Sequence, residues 1–190
     1  KYVPLREAFW NCTEKEIQAD VETLLLLSGG TDPYNFLDKI LQKIELRQFT
    51  RVDVVCGRYN LNYEILCKKY KKYLNVVVYK NVSDMKKYMQ DADLAVSAGG
   101  TTLYELCAVG TPTISYSFAD NQLDNVRQFD EDGLIAYAGD LRRDDVTENV
   151  KKMIDRFRKD FALRKKSSNG MQAIVDGKGA ERLAQALINM

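Results

Sequence analysis

The sequence predicts an α/β fold built as a doubly wound parallel sheet, on three observations. Short β-rich runs alternate with amphipathic stretches along the chain, the pattern of repeated βα units. Several of these runs are continuously apolar rather than alternating, as expected of strands covered on both faces. Glycine pairs follow two of the runs after one small residue, at the strand ends where open parallel sheets bind ligands. With 190 residues, 45% of them hydrophobic, the chain is long enough for one domain with a substantial core.

Taken in order, residues 1–21 form a mixed, charged lead-in. Thr23-Leu24-Leu25-Leu26-Leu27 reads as the first strand, followed by Ser28-Gly29-Gly30-Thr31-Asp32-Pro33. Glycine lets a backbone approach a ligand closely and adopt positive φ. Asp32 then Pro33 reads as an N-cap followed by proline at the first helical position, so Asp32 is expected to cap rather than catalyse. Phe36, Ile40, Leu41 and Ile44 make one apolar helical stripe, and Leu66, Tyr70 and Tyr73 another, with Lys68, Lys69, Lys71 and Lys72 on its remaining surface. Strands are expected at 52–56, 74–79, 94–97, 112–116 and 134–137. From Arg142 to Lys166 the chain carries ten basic and five acidic residues, read first as a solvated helix face and second as a contact for a membrane surface or partner.

Composition removes several function classes. A formal net charge of +1 gives no strong field toward nucleic acid, so no nucleic-acid partner is expected. No apolar run approaches transmembrane length, and no signal peptide is visible. The opening Lys1-Tyr2-Val3, without methionine, is what a fragment would show. Cys12, Cys56, Cys67 and Cys107 form no C-x-x-C pair and are expected to be free thiols of a cytoplasmic protein. With no histidine in the chain, it can supply neither a Ser-His-Asp triad nor a histidine-ligated metal. No clustered Asp/His set suggests a metal, and no cofactor is expected.

The second glycine loop, Gly99-Gly100-Thr101-Thr102, precedes a short helix ended by Gly110-Thr111-Pro112. Exposed amides at a helix N-terminus suit a phosphate, and the threonine hydroxyls can add hydrogen bonds. Glu105 reads two ways. Thr102-x-x-Glu105 matches a capping box. A carboxylate near a phosphate site could instead accept both hydroxyls of a ribose. After the next strand, Asp120-Asn121-Gln122 clusters polar side chains that can read sugar hydroxyls or make ordinary turns. Neither loop is G-x-G-x-x-G or a Walker motif, so generic dinucleotide and ATPase readings are unsupported.

SGGTDPYN, NVSDM, SAGGTTLYELCAVGTPTI, ADNQ and VDGKGAERLAQAL occur here in one order. In that order they resemble the C-terminal half of the UDP-sugar hydrolase of pseudaminic-acid biosynthesis and, equally, the related spore-coat polysaccharide biosynthesis proteins. More distantly the chain is similar to the lipid II N-acetylglucosaminyltransferase. The resemblance implies one Rossmann-like half of a GT-B fold. Residues 1–21 would then be an interdomain linker and 22–190 the nucleotide-sugar donor domain, its N-terminal catalytic half absent. It further implies a UDP-sugar ligand. Glu105 would hold the ribose, and Gly99, Gly100, Thr101 and Thr102 would line the diphosphate. Val82 would lie near the uracil, Asn121 and Gln122 would reach diphosphate or sugar, and Gly29 and Gly30 would floor the cleft.

In the hydrolase, a histidine and other catalytic groups come from the N-terminal half, so no catalytic residue is assigned in this chain. Hydrolase chemistry is the first expectation and glycosyl transfer the second. A non-catalytic nucleotide-binding module and an interaction domain using residues 142–166 are the alternatives outside enzyme chemistry.

Overall fold

The structure, a computed structural model, describes residues 2–189. After an irregular lead-in with one 3-10 turn at Glu7–Phe9, strands and helices alternate: β1 (Thr23–Leu27), α1 (Phe36–Lys43), β2 (Arg51–Cys56), α2 (Tyr63–Tyr70), β3 (Val76–Lys80), α3 (Met85–Asp91), β4 (Leu94–Ala98), α4 (Thr102–Val109), β5 (Thr113–Ser117), α5 (Asp120–Glu131) and β6 (Ala136–Asp140). Three helices close the described chain: α6 (Val146–Lys159), α7 (Phe161–Ile174) and α8 (Gly179–Ile188). The six strands form one parallel sheet in the order β3-β2-β1-β4-β5-β6. The order reverses between β1 and β4, so the loops leaving these two strands flank the topological switch point.

Strand periodicity divides the core between the sheet's two faces. Leu24 and Leu26 point into one cluster with Phe36, Leu37 and Ile40 of α1, Leu66 of α2, and Val150, Ile154 and Phe157 of α6. Leu25 and Leu27 point into the other, with Met89 of α3, Leu103 and Leu106 of α4, Val126 of α5 and Met171 of α7. Every residue of β4 and β5 is buried, which explains their unbroken apolar or small character. Each fully buried leucine or isoleucine contributes about 1.5–3 kcal/mol relative to exposure, and both faces carry many.

Two strand boundaries differ from expectation. Leu74 is 99% exposed and belongs to the turn before β3, a sheet-edge strand in which only Val76 is buried. Leu134 and Ile135 precede β6 instead of opening it. Gly133 takes φ +68° and the Leu134 amide donates to the Phe129 carbonyl at 2.9 Å, so these residues close the α5 C-terminus. Their apolarity comes from packing under the helices.

The lead-in is tied to the domain throughout. Leu5 and Phe9 are buried in the second cluster. Gln172 on α7 donates to the Thr13 carbonyl at 2.9 Å and accepts from the Lys15 amide at 3.0 Å. Arg164, expected within a solvated basic face, is instead fully buried. Its Nη2 donates to the carbonyls of Gln18 (3.0 Å) and Ala19 (2.6 Å), and its Nη1 to those of Phe157 and Arg158. The tail also packs here: a Cβ at Gly179 would lie 2.0 Å from the Val3 carbonyl oxygen, so only glycine permits that approach. Among the described residues, no helix is long and apolar enough to cross a membrane.

Candidate functional site at the carboxyl edge of the sheet

A cavity of about 270 Å³ opens at the carboxyl ends of β1, β2 and β3. Gly29 and Gly30, leaving β1, form one wall, Asn81, Val82 and Met85, leaving β3, another, and Thr102, the first residue of α4, reaches in from across the switch point. Gly29, Gly30, Val82 and Thr102, separated widely in sequence, thus share one concavity. A larger cavity of about 370 Å³ lies among Glu14, Lys15 and residues of α7, off the edge where parallel sheets bind ligands.

The loop leaving β1 is built for close approach. Gly29 sits at φ +76°, and a Cβ on either Gly29 or Gly30 would meet no atom within 4 Å; the glycines therefore face open space. Beneath them the Ser28 hydroxyl is buried without a hydrogen-bond partner. Asp32 caps α1, but from further away than expected. Helix α1 starts at Phe36, not Pro33, with Asn35 in the left-handed region at its N-cap. The Asp32 carboxylate accepts from the amides of Phe36 (2.7 Å) and Leu37 (3.0 Å). Burial raises its pKa and the two amides oppose that rise.

The loop leaving β2 supplies lining residues that sequence reasoning missed: Gly57, Arg58 and Tyr59. A Cβ at Gly57 would fall 2.1 Å from the Gly29 carbonyl oxygen and 2.6 Å from Gly30 Cα. The Tyr59 amide donates to the Gly30 carbonyl at 3.1 Å, locking the two loops together. The available signal was a glycine directly after a strand, as at Gly99. Asn81 and Met85 belong to the NVSDM stretch, which carried no role beyond Val82. Cys56 also borders the cavity; burial pushes its thiol up to about 12, so it stays protonated and is no nucleophile near neutral pH.

Across the switch point, Gly99 is buried because α5 crowds it: a Cβ there would lie 2.1 Å from a Val126 methyl carbon. Gly100, by contrast, faces open space. The N-cap of α4 is Thr101, in helical conformation and without a side-chain cap. In this eight-residue helix the Leu103 and Tyr104 amides donate to the Gly100 and Thr101 carbonyls at 3.1 Å each, so the amides that suit an anion are those just before them, at Gly100–Thr102.

No capping box forms. The Glu105 carboxylate is paired with Arg6 of the lead-in, its Oε1 accepting from Arg6 Nε at 2.9 Å with Nη2 2.8 Å away. Burial raises the Glu105 pKa, and the Arg6 guanidinium opposes the rise. Asn121 is exposed at the start of α5. Gln122 is turned inward, its Oε1 accepting from the Phe118 amide at 3.0 Å, which commits that oxygen to the loop. Gly99, Gly100, Thr101, Glu105, Asn121 and Gln122 lie outside the cavity lining, on the β4–β5 side of the same sheet edge.

The glycosyltransferase family 28 C-terminal domain matches residues 24–179. The spore coat polysaccharide biosynthesis protein SpsG of Bacillus subtilis is 27% identical over 192 residues, covering 98% of this chain and 56% of its own length. The UDP-N-acetylglucosamine–N-acetylmuramyl-(pentapeptide) pyrophosphoryl-undecaprenol N-acetylglucosamine transferase of Campylobacter fetus is 29% identical over 133 residues, 65% of this chain and 38% of its own length. Acinetobacter baumannii MurG superposes with a TM-score of 0.71 at 14% identity, over 94% of this chain and 55% of its own. The chain thus spans about half the length, or less, of these relatives, and its fold is that of one half of a GT-B protein. With the match running from the second residue of β1 into the first residue of α8, the chain belongs to the glycosyltransferase family 28 C-terminal domain family.

Proposed function

We infer that this chain is the donor-binding domain of a protein that acts on a UDP-sugar in polysaccharide biosynthesis. The observation that carries this reading is the cavity in which Gly29, Gly30, Val82 and Thr102 meet at the switch point. The family membership and the UDP-sugar in the name of the Campylobacter fetus relative support it. In this reading the diphosphate lies over Gly29–Gly30 and Gly100, facing the amides at Gly100–Thr102. Val82 and its neighbours border the base, Glu105 accepts from the ribose, and Asn121 and Gln122 border the sugar or diphosphate.

Chemically, such a domain holds a leaving group. Bond cleavage at the anomeric carbon puts negative charge on the diphosphate, and preorganised amides stabilise charge where it develops. The attacking group comes from outside this domain. Water makes the whole protein a hydrolase, and the pseudaminic-acid resemblance favours that. An acceptor hydroxyl makes it a transferase, which the names of the family and of the Campylobacter fetus relative favour. The residues that choose between them would lie in an N-terminal half.

The test is a calorimetric titration of the full-length protein with UDP, CMP and ADP, alongside Glu105→Gln. Selective UDP binding is expected, weakened in the variant by about 1–3 kcal/mol, the range for losing a charged hydrogen-bond partner. Equal affinity for all three nucleotides, or an unchanged variant, would remove the reading. Incubating a UDP-sugar with and without acceptor then separates the two chemistries: a hydrolase releases free sugar without acceptor.

A further inference from the structure

We propose that Arg6 is a positioning residue of the donor site, one that orients Glu105 and offsets its charge next to the diphosphate loop. The proposal rests on the donor-site reading and adds to it a residue from the lead-in segment. Both guanidinium contacts fall on one carboxylate oxygen: Nε at 2.9 Å and Nη2 at 2.8 Å from Oε1. Oε2 stays outside the pair and is the oxygen left for a ribose hydroxyl.

The pairing answers an electrostatic problem. Glu105 sits in the first turn of α4, directly after the Gly100–Thr102 amides that would face the diphosphate. A bare carboxylate there would oppose an anion that the amides attract. A guanidinium on its outer oxygen offsets that charge and leaves the amides effective. Burial alone would favour the protonated acid, which accepts poorly; Arg6 opposes this. Among the described residues, Arg6 is the charged group that acts on Glu105; α3 and α7, packed on other sides of α4, contribute none.

Arg6 is itself held in place. The Phe9 amide donates to its carbonyl at 2.9 Å, closing the 3-10 turn, and its guanidinium lies 5.2 Å from the Phe9 ring centroid. Phe9 is 1% exposed and fixed in the core. The arginine therefore projects from an anchored turn, and little freedom is lost in holding Glu105.

The experiment measures UDP affinity of the full-length protein between pH 4.5 and 8 for the wild type, Arg6→Ala, Arg6→Lys, Glu105→Gln and the Arg6→Ala/Glu105→Gln double variant. Arg6→Ala should weaken binding about three- to fivefold at pH 7, the scale of a partly exposed ion pair. Its low-pH loss of binding should move to higher pH, because Glu105 then keeps the rise that burial imposes. Arg6→Lys should restore part of the affinity. In the Glu105→Gln background the arginine change should have no effect.

If Arg6→Ala costs the same with or without Glu105, the arginine acts on the ligand directly and the positioning role is overturned. Tighter binding in Arg6→Ala would make Arg6 a competitor for Glu105, which also overturns it. Failure of the donor-site reading looks different: UDP fails to bind the wild type, or Glu105→Gln binds it unchanged.

Discussion

Gly57 and Gly30 sit side by side and make opposite demands. At Gly57 a Cβ would fall 2.1 Å from one backbone oxygen and 2.6 Å from another, with no flexible side-chain end to yield. At Gly30 a Cβ would meet nothing within 4 Å, and no positive φ restrains it. Gly57→Ala should therefore cost about 1–3 kcal/mol of stability, as overpacking does, and weaken UDP binding as the two loops part. Gly30→Ala should leave stability within about 0.5 kcal/mol of wild type, as surface changes do, yet weaken UDP binding by occupying ligand space. Thermal melts beside titrations separate the two. If both variants bind UDP normally, the cavity is not the phosphate site. Only the paired glycines beside apolar runs stood out in the sequence. Gly57 carries the tightest backbone contact of the site, but a lone glycine followed by Arg58-Tyr59 resembles any turn. The Arg6 pairing spans 99 residues, and no local pattern encodes a contact of that range.

Elements with both faces covered were legible because burial leaves a composition behind. β1, β4 and β5 are buried almost throughout, and their apolar runs marked them to within a residue or two. β3 and β6 lie at the two sheet edges, where apolar residues also serve turns and helix ends, so Leu74 and Leu134 misled. The C-terminal element rests on a charge contact the sequence did not reveal. The Asp176 carboxylate accepts from the Lys178 amide at 3.0 Å and pairs with Arg182 one turn into α8. The Arg182 hydrogen bond, first, and the Lys178 amide hold the Asp176 carboxyl down at about 2. A carboxyl held below its unfolded range adds stability above the unfolded pKa, near 4, and that contribution fades as pH falls toward 2. The pair is partly exposed, so water screening weakens it. Arg182→Ala should melt lower than wild type at pH 5, with the gap closing as pH approaches 2. A gap that is constant from pH 5 to 2 would mean Arg182 acts through packing instead.

At the scale of the whole molecule, the lead-in acts as a strap joining the site to the far side of the domain. One end carries Arg6 against Glu105; the other ends on the buried Arg164, which gathers the carbonyls of Gln18, Ala19, Phe157 and Arg158. Between them, Gln172 holds Thr13 and Lys15, and Lys15 Nζ donates to the Ala92 carbonyl at 2.9 Å. Hydrogen bonds to charged groups contribute about 1.5–3 kcal/mol each, and carbonyls stripped of a donor while buried are costly. Arg164→Met keeps the apolar stem but none of the donors. It should lower stability by at least about 1–3 kcal/mol, the cost of leaving a buried acceptor unsatisfied, and the loss should be local before it is global. Hydrogen exchange should therefore rise first across residues 12–20, while β1 and β4 stay protected until global unfolding. If the strap transmits order to the site, UDP binding should weaken in Arg164→Met even at a temperature where the sheet remains intact. An Arg164→Met protein that frees residues 12–20 yet binds UDP as tightly as wild type would show that the two ends of the strap are independent, with Arg6 held by the Phe9 anchor alone.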